Sequence, residues 1–150
     1  MNPTTITRIT LQEELEAAFV IRKEVFVEEQ GVPLADEYDQ FDTLEAPCEH
    51  ILAYYDGNPV GTGRIRIVDG IGKIERICVL ESYRQYGIGK KIICILEEIA
   101  VEQGLRKVKL HGQTQAQGFY EKLGYLAASE EFVEDGIPHV VMTKDLPFIQ

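Results

Sequence analysis

The spacing of hydrophobic residues changes along the chain and predicts where helices form. Apolar residues recur at intervals of three or four over Leu11–Phe26 and again over Ile88–Ile99. Because this spacing puts them on one helical face, both segments are predicted to be amphipathic helices. Thr10 and Glu13 form a capping-box pattern at the start of the first helix, and Gly31 is a typical helix end.

Shorter apolar runs separated by turn sequences predict strands. Ile6–Ile9 is such a run before the first helix. Three runs joined by Gly-containing turns follow that helix and predict an antiparallel meander: His50–Tyr55, Val60–Val68 and Lys73–Leu80. After the second helix the pattern predicts a strand, a short helix and two strands: Lys107–Leu110, Ala116–Leu123, Tyr125–Phe132 and Ile137–Lys144.

Length and composition limit the classes of protein that the chain can represent. It has 150 residues, of which 45% are hydrophobic and 27% charged, and we interpret residues 1–150 as one domain. No apolar run approaches the about 20 residues that cross a bilayer. Met1–Thr10 lacks the pattern of a secretory signal, so a cytoplasmic location is expected. Three widely spaced cysteines, Cys48, Cys78 and Cys94, fit neither a disulfide framework nor a metal site.

The formal net charge of −10 comes from one acidic segment, residues 24–63, which contains ten acids and no Lys or Arg. Such a charge makes nucleic acid an improbable partner, because nucleic-acid binding needs a basic surface. An acidic segment beside a site would attract a cationic substrate. A solvated face that keeps the protein soluble is the favoured interpretation.

A glycine turn between the third meander strand and the second helix has the features of an anion site. Gly87 and Gly89 allow backbone N–H groups to turn toward one point, and the following helix N-terminus adds partial positive charge. Arg84, Lys90 and Lys91 add three cations. The residue after Lys90 is not the Ser or Thr of a nucleotide-hydrolysing loop, and Ile92 replaces the third glycine of a dinucleotide fingerprint.

Two motifs in the predicted order resemble the GNAT acetyltransferase superfamily. Arg84-x-x-Gly87-x-Gly89 resembles the loop with which that family binds the diphosphate of acetyl-CoA. Ala116–Tyr125 resembles its A-x-x-F-Y-x-x-x-G-[FY] segment. The resemblance implies an α/β (α+β) fold with a mixed, mostly antiparallel sheet of six to seven strands, flanked by helices, in which a splayed strand pair holds acetyl-CoA.

The resemblance implies that the separating strands are Lys73–Leu80 and Lys107–Gly112. Backbone groups of the first strand would contact the pantetheine arm at Ile77, Cys78 and Val79. The glycine turn would bind the diphosphate through residues Arg84, Gln85, Tyr86, Gly87, Ile88, Gly89 and Lys90. Three downstream residues complete the implied cofactor contacts: Gln113, Ala116 and Phe119. Of the two polar residues on that strand, Gln113 is favoured over His111.

Acetyl transfer to an amine needs a proton acceptor and a proton donor. Only about one alkyl amine in a few thousand is unprotonated at pH 7, because its pKa is ~10.4. Glu75 is the first candidate base, since strand alternation places it on the face of Ile77 and Val79, near the thioester. Tyr120 matches the family tyrosine that protonates the departing thiolate. An acyl relay through Cys78 is disfavoured because no histidine partner is evident.

The acceptor pocket is implied less closely. Arg22 and Glu37 occupy positions where the family builds that pocket. His139 follows Gly136–Pro138 at the start of the last predicted strand, where a histidine could contact the substrate or act as a base. No metal is expected, because no cluster of His, Cys and carboxylate has a metal-binding spacing.

The expected function is transfer of acetyl from acetyl-CoA to a primary amine of a small molecule or peptide, within a ternary complex. Neither nucleic acid nor membrane is an expected partner, and the protein is expected to be a monomer or a homodimer. One alternative is a non-catalytic acyl-CoA-binding sensor or interaction module. Another is an acyltransferase like the acyl-homoserine-lactone synthases, because Ile21–Phe26 of this chain resembles the first helix of those enzymes.

Overall fold

The computed structural model describes residues 3–147, in which the strands form a single sheet. In chain order they are β1 (Thr4–Arg8), β2 (Cys48–Tyr55), β3 (Asn58–Val68), β4 (Ile71–Val79), β5 (Lys107–Gln113), β6 (Leu126–Ala127), β7 (Phe132–Glu134) and β8 (Ile137–Asp145). Their spatial order is β1-β2-β3-β4-β5-β8-β6, with β7 also paired to β8. All pairs are antiparallel except β4–β5, which is parallel. The predicted mixed, mostly antiparallel sheet is confirmed.

The described sheet has eight strands instead of the predicted six to seven, because one predicted strand is interrupted. Over Tyr125–Phe132 the structure has β6 and the start of β7, separated by residues 128–131. The Ala128 N–H donates to the Val141 carbonyl (2.7 Å), and the Val141 N–H donates to Ser129 Oγ (2.9 Å). These bonds keep the segment attached to β8 where strand pairing stops.

The helices follow the predicted order: α1 (Gln12–Arg22), which continues as a π-helix over Lys23–Glu29, α2 (Leu34–Glu37), α3 (Ile88–Glu102) and α4 (Gln117–Lys122). Turns of 3-10 helix precede α3 and α4, at Glu81–Tyr86 and Thr114–Ala116. The cap of α1 differs from the prediction, because Glu14, not Glu13, accepts the N–H groups of Thr10 and Leu11. Among residues 3–147 no helix is long and apolar enough to span a bilayer.

Helices cover both faces of the sheet. α3 packs its buried Ile92, Ile93 and Leu96 against one face of the sheet. α1 packs Leu15 and Ala18 against the other face, where Leu52 and Cys78 also lie. Each buried aliphatic side chain of this size contributes about 1.5–3 kcal/mol relative to exposure. Two apolar layers therefore hold the sheet rigidly, and its central strands can position a site.

β4 and β5 separate after a short parallel stretch. Only Gly72–Ile74 and Val108–Leu110 are paired, although β4 continues to Val79 and β5 to Gln113. β4 carries a bulge at Arg76, whose φ is +57°, where its register against β3 shifts. A bulge bends a strand and increases its twist. The two strands therefore diverge, as the resemblance implies for a splayed pair.

Candidate active site

A cleft of about 640 Å³ occupies the gap between β4 and β5. Its lining also includes residues of the π-helix, the start of α3, α4 and the β7–β8 hairpin. Most predicted site residues meet in this cleft: Glu37, Glu75, Ile77, Cys78, Val79, Arg84, Gly87, Gly89, Lys90, Gln113, Ala116, Phe119, Tyr120 and His139. Four predicted residues do not line it: Arg22, Gln85, Tyr86 and Ile88.

The glycine turn forms the N-terminal end of α3. Gly87 adopts a left-handed conformation with φ +70° and serves as the N-cap, a conformation that strains residues with a Cβ. No side chain caps the helix, and its first turn contains no acid. The first N–H groups of a helix lack intrahelical acceptors and attract anions. With Lys90 beside them, these groups make the cleft end at Gly87 an anion site.

Arg84 lies at the edge of this anion site and is already bound. Its Nε donates to the Val79 carbonyl (2.9 Å), and its Nη atoms donate to the two Glu29 carboxylate oxygens at 2.7 and 2.6 Å. The hydrogen bond from Arg84 lowers the pKa of Glu29. Both partners are more than one-third exposed. The π-helix therefore holds the arginine of the turn through a solvent-accessible ion pair.

The side chains of Gln85, Tyr86 and Ile88 do not line the cleft, so any contact of these residues with the diphosphate, which was predicted for the turn's backbone amides, does not involve their side chains. Ile88 is buried in the core, and the Tyr86 ring stacks on Tyr55 with centroids 4.4 Å apart. Consecutive residues of a tight turn point in different directions, so the motif alone did not determine which of them face the cleft.

The bulge at Arg76 changes the predicted faces of β4. Ile77 faces α3, since a Cβ added to Gly63 would lie 2.7 Å from its Cδ1 and 2.9 Å from Ile92 Cγ2. Glu75 faces the α1 side with Arg64, its partner on β3. The prediction that Glu75 shares a face with Ile77 and Val79 is therefore wrong, because one extra residue interrupts the alternation.

Glu75 is surrounded by cations, which makes it a poor base. Its carboxylate accepts from Arg66 Nε (2.8 Å) and Arg64 Nε (3.2 Å), and lies 3.0 Å from Lys73 Nζ. Burial acts to raise the pKa of Glu75, but Arg66, Arg64 and Lys73 outweigh it and lower the pKa to about 2. The contacts of Glu75 are therefore those of a structural ion-pair centre.

Arg22 is also structural, so its predicted contact with substrate is wrong. Its side chain is 1% exposed. Nε donates to Glu37 Oε2 (2.9 Å), and the Nη atoms donate to Asp42 at 2.6 and 3.0 Å. Asp42 in turn accepts from Arg64 Nη1 (2.9 Å). Glu37 lines the cleft, but its side chain is also 1% exposed. The arginine lies behind the cleft wall and neutralises its buried carboxylates.

Two histidines and a glutamate lie together on the opposite wall. His111 Nδ1 is 2.9 Å from Glu134 Oε1, and His139 Nε2 is 3.9 Å from Glu134 Oε2. His139 Nδ1 lies 2.7 Å from the Ile137 carbonyl, and the ring of Phe132 contacts both imidazoles. The hydrogen bond from His111 lowers the pKa of Glu134. With its proton on Nδ1, His111 donates to Glu134 and keeps a lone pair on Nε2.

Tyr120 projects from α4 toward the end of β5. A Cβ on Gly112 would come within 3.2 Å of its ring, so the glycine is what allows this approach. Burial raises the pKa of Tyr120 to about 12. Its hydroxyl makes no hydrogen bond within residues 3–147, although the residue lines the cleft. A phenol in this state is a proton donor without a protein acceptor.

The open end of the gap is bridged by a side-chain contact. Gln113, at the end of β5, donates through Nε2 to Gln30 Oε1 (2.9 Å) at the end of the π-helix. Both residues line the cleft, as predicted for Gln113.

On β4, burial raises the pKa of Cys78 to about 12, so its thiol is not a nucleophile at neutral pH.

Comparison with known proteins agrees with this geometry. The family model described as an acetyltransferase (GNAT) domain matches residues 11–146. The chain belongs to the GNAT acetyltransferase family. Bacillus subtilis YyaT is 60% identical over 94% of this chain and 95% of its own length. The uncharacterized N-acetyltransferase YjcF of the same organism is 50% identical over 89% and 94%. An acyl-CoA N-acyltransferase structure from Pseudomonas aeruginosa has TM-score 0.82, 29% identity and coverage of 93% and 99%.

In this GNAT protein the arrangement of the elements around the cleft supports the family assignment as much as the two sequence motifs do. The turn at Gly87 and the segment Gln117–Lys122 both line the cleft, and a Cβ added to Gly89 would lie 3.5 Å from Phe119 Cζ. Sequence reasoning gave no role to Glu134 and passed over His111. One available signal was the Asp135–Gly136 turn, which predicts a hairpin and so brings Glu134 beside the strand that pairs with β5.

Proposed function

We propose that the protein transfers an acetyl group from acetyl-CoA to a primary amine by direct attack in a ternary complex. One observation carries this proposal: the facing edges of β4 and β5, which stop pairing with each other after Ile74 and Leu110, and the uncapped N-terminus of α3 open into the same cleft. Free strand edges suit the amide groups of a pantetheine arm, and a helix N-terminus suits a diphosphate. The acyl-CoA N-acyltransferase from Pseudomonas aeruginosa shares this fold.

In this proposal the diphosphate binds at the N–H groups after Gly87, with Lys90 nearby. Arg84 exchanges its Glu29 partner for the diphosphate, since both ligands are bidentate oxyanions. The pantetheine arm lies along β4 at Ile77, Cys78 and Val79. Backbone N–H groups near Ile77 polarise the acetyl carbonyl, which stabilises the negative charge that develops during attack.

We assign the role of general base to His111. Glu134 holds its Nδ1, which leaves Nε2 available to accept a proton from the amine. This is the arrangement of a base oriented by a carboxylate, and imidazole is the side chain that exchanges protons most readily near neutral pH. His139, whose Nε2 also faces Glu134, contacts the acceptor. Tyr120 donates its phenolic proton to the departing thiolate.

A non-catalytic acyl-CoA sensor and a lactone-forming acyltransferase are the alternatives. The sensor predicts CoA binding without release of free thiol in the presence of any amine. Lactone formation predicts that an acylated homoserine derivative cyclises and releases a second product. The unbonded Tyr120 hydroxyl and the Glu134–His111 pair favour catalysis over sensing, because binding alone requires neither group.

The proposal is tested by calorimetry with CoA and by a thiol-release assay with acetyl-CoA and a panel of amines. We expect binding, and amine-dependent release of one thiol per amide formed. His111→Gln should lower kcat by about 10²- to 10⁴-fold, the range for loss of a general base, with unchanged CoA affinity. His50→Gln is the matched control, because His50 lies outside the cleft lining and its Nε2 is hydrogen-bonded to the Phe41 carbonyl. Absence of CoA binding by folded protein would contradict the proposal.

A further inference from the structure

The α1-side wall of the cleft contains one continuous network of ion pairs with an uneven number of charges. Five cationic side chains contact four carboxylates, which gives the network a formal charge of +1. The cations are Arg22, Arg64, Arg66, Lys73 and Arg76, and the carboxylates are Glu37, Asp39, Asp42 and Glu75. A local positive excess is unexpected in a chain whose net charge is −10.

Arg76 is the member whose hydrogen-bonding capacity is unused. Its Nε lies 3.2 Å from Glu37 Oε2 but is not aligned for a hydrogen bond. The guanidinium makes no hydrogen bond within residues 3–147. By contrast, Arg22 donates four hydrogen bonds, three to carboxylates and one to the Glu37 carbonyl, and Arg64 donates four to carboxylates. Arg76 therefore keeps a fork of Nη donors that no described residue uses, although its Nε is buried beside Glu37 and its Cζ lies 6.0 Å from the centroid of the Phe26 ring.

Backbone conformation puts this fork at the reacting end of the cleft. Arg76 has a left-handed φ of +57°, which is unusual for a residue with a Cβ. It immediately precedes Ile77, where the thioester carbonyl is proposed to bind. Strained residues that persist in a rigid sheet are concentrated at binding and catalytic sites. The bulge turns the Arg76 side chain to the α1 side and into the lining of the cleft.

The facing wall has the opposite charge. Glu134 and Asp135, on the β7–β8 hairpin, both line the cleft, and Glu134 is 40% exposed. A reactant that is cationic at its amine and anionic elsewhere would match the two walls. A planar guanidinium fork is suited to a carboxylate, which it binds through two parallel hydrogen bonds.

Resting on the proposed acetyl transfer, we infer that the acceptor is an amine that also carries a carboxylate, and that Arg76 binds this carboxylate. The ammonium group approaches Glu134 and loses one proton to His111, and the resulting neutral amine attacks the acetyl carbon. The carbon–nitrogen bond forms, the carbon–sulfur bond breaks, and the thiolate takes its proton from Tyr120. The nitrogen then loses its second proton, which restores the Tyr120 phenol through solvent. A carboxylate could also reach Arg76 from the acyl group of a dicarboxylic acyl-CoA, and the test separates the two sources.

The test uses pairs of amines that differ only in the carboxylate: L-lysine and cadaverine, L-phenylalanine and phenethylamine, glycine and methylamine. With acetyl-CoA we expect at least one amino acid to exceed its decarboxylated twin in kcat/KM by tenfold or more. In Arg76→Gln this ratio should fall toward one. Arg76→Lys should keep part of it, because the charge remains while the fork is lost. Arg76→Gly adopts φ +57° without strain, so backbone strain does not explain a loss of preference, and unchanged CoA affinity with a cooperative urea unfolding transition shows that the variant is folded.

Equal kcat/KM within every pair, or an unchanged ratio in Arg76→Gly, would overturn the inference. The inference would also be overturned if protein that binds CoA acetylated none of the amines in the panel. Succinyl-CoA with a decarboxylated amine is the second arm. If Arg76 affects only that reaction, the carboxylate belongs to the acyl group and the acceptor assignment is wrong. Absence of CoA binding would instead contradict the proposed function, so the two failures are distinguishable.

Discussion

On the β4 wall of the cleft, Glu37, Asp42 and Glu75 each contact at least two cationic side chains. On the β5–β8 wall, the ion contacts of Glu134 are with two imidazoles, His111 and His139, which are charged only when protonated. On the first wall, burial is outweighed at Asp42 and Glu75 by hydrogen bonds and charges of the arginines, which lower the pKa of both carboxyls, whereas burial raises the pKa of Glu37. The second wall pairs its carboxylate with imidazoles instead of permanent cations.

This difference shows why a carboxylate near a reacting centre is not by itself a base. Glu75 lies on the strand that borders the proposed thioester site, yet its pKa of about 2 reflects its cationic partners. A carboxylate so stabilised in its ionised form has little tendency to accept a proton. Position alone made Glu75 the first candidate base in the sequence, whereas the contact of His111 with Glu134 is the reason for proposing His111 instead.

The largest effect is expected for Arg22→Met in the buried network. Removing this cation leaves Glu37 and Asp42 less compensated in the interior, which should lower the free energy of unfolding by about 3–5 kcal/mol. Arg8→Met is the matched control, because Arg8 forms an exposed ion pair with Glu102 that is worth less than about 1 kcal/mol. Urea unfolding measures both. Equal losses would mean that the β4 wall gains no stability from its buried pairs.

A somewhat smaller effect should follow the titration of Glu75. Its pKa is lowered from 4.5 to about 2 in the folded state, so the unfolded chain binds its proton first as the pH falls. Its stabilisation is therefore present above about pH 4.5 and lost toward pH 2, on the order of 3 kcal/mol. Glu75→Gln should be less stable than the parent at pH 7, and the two should converge near pH 2. A constant difference between them across this range would contradict the assignment.

The smallest of these effects is expected in turnover, on the other wall. Tyr120→Phe should lower kcat by about 10²-fold, the usual scale for loss of an acid catalyst, with nearly unchanged affinity for acetyl-CoA. Tyr125→Phe is the matched control. Tyr125 is buried outside the cleft lining and donates to Glu97 (2.6 Å), so its loss should lower the melting temperature and not kcat. Turnover of Tyr120→Phe within a few-fold of the parent would remove the donor role.

Periodicity and turn residues predicted the order of elements well, because those signals are local. The α1 and α3 stripes and the meander correspond closely to the observed helices and strands. The Gly87 turn was also recognisable, since its glycine is required by a positive φ. Such features depend on residues that are close together along the chain, so the sequence alone holds all the information that they require.

Contacts between distant residues were not predictable in this way. The acidic segment 24–63 was expected to be solvated, yet its Glu37 and Asp42 are buried against Arg22 and Arg64. These arginines lie on either side of the segment, and no local pattern indicates which acids they bind. The bulge at Arg76 was equally hidden, because a residue in a left-handed conformation is most often Gly, Asn or Asp. One extra residue then moved Glu75 to the other face.

The three cysteines have a practical consequence for experiments. Burial raises the pKa of both Cys48 and Cys78 to about 12, whereas Cys94 is exposed on α3 and does not line the cleft. A maleimide fluorophore should therefore couple at Cys94 alone in the unaltered chain. Fluorescence from that position would report coenzyme docking at the N-terminus of the same helix without any engineered labelling site.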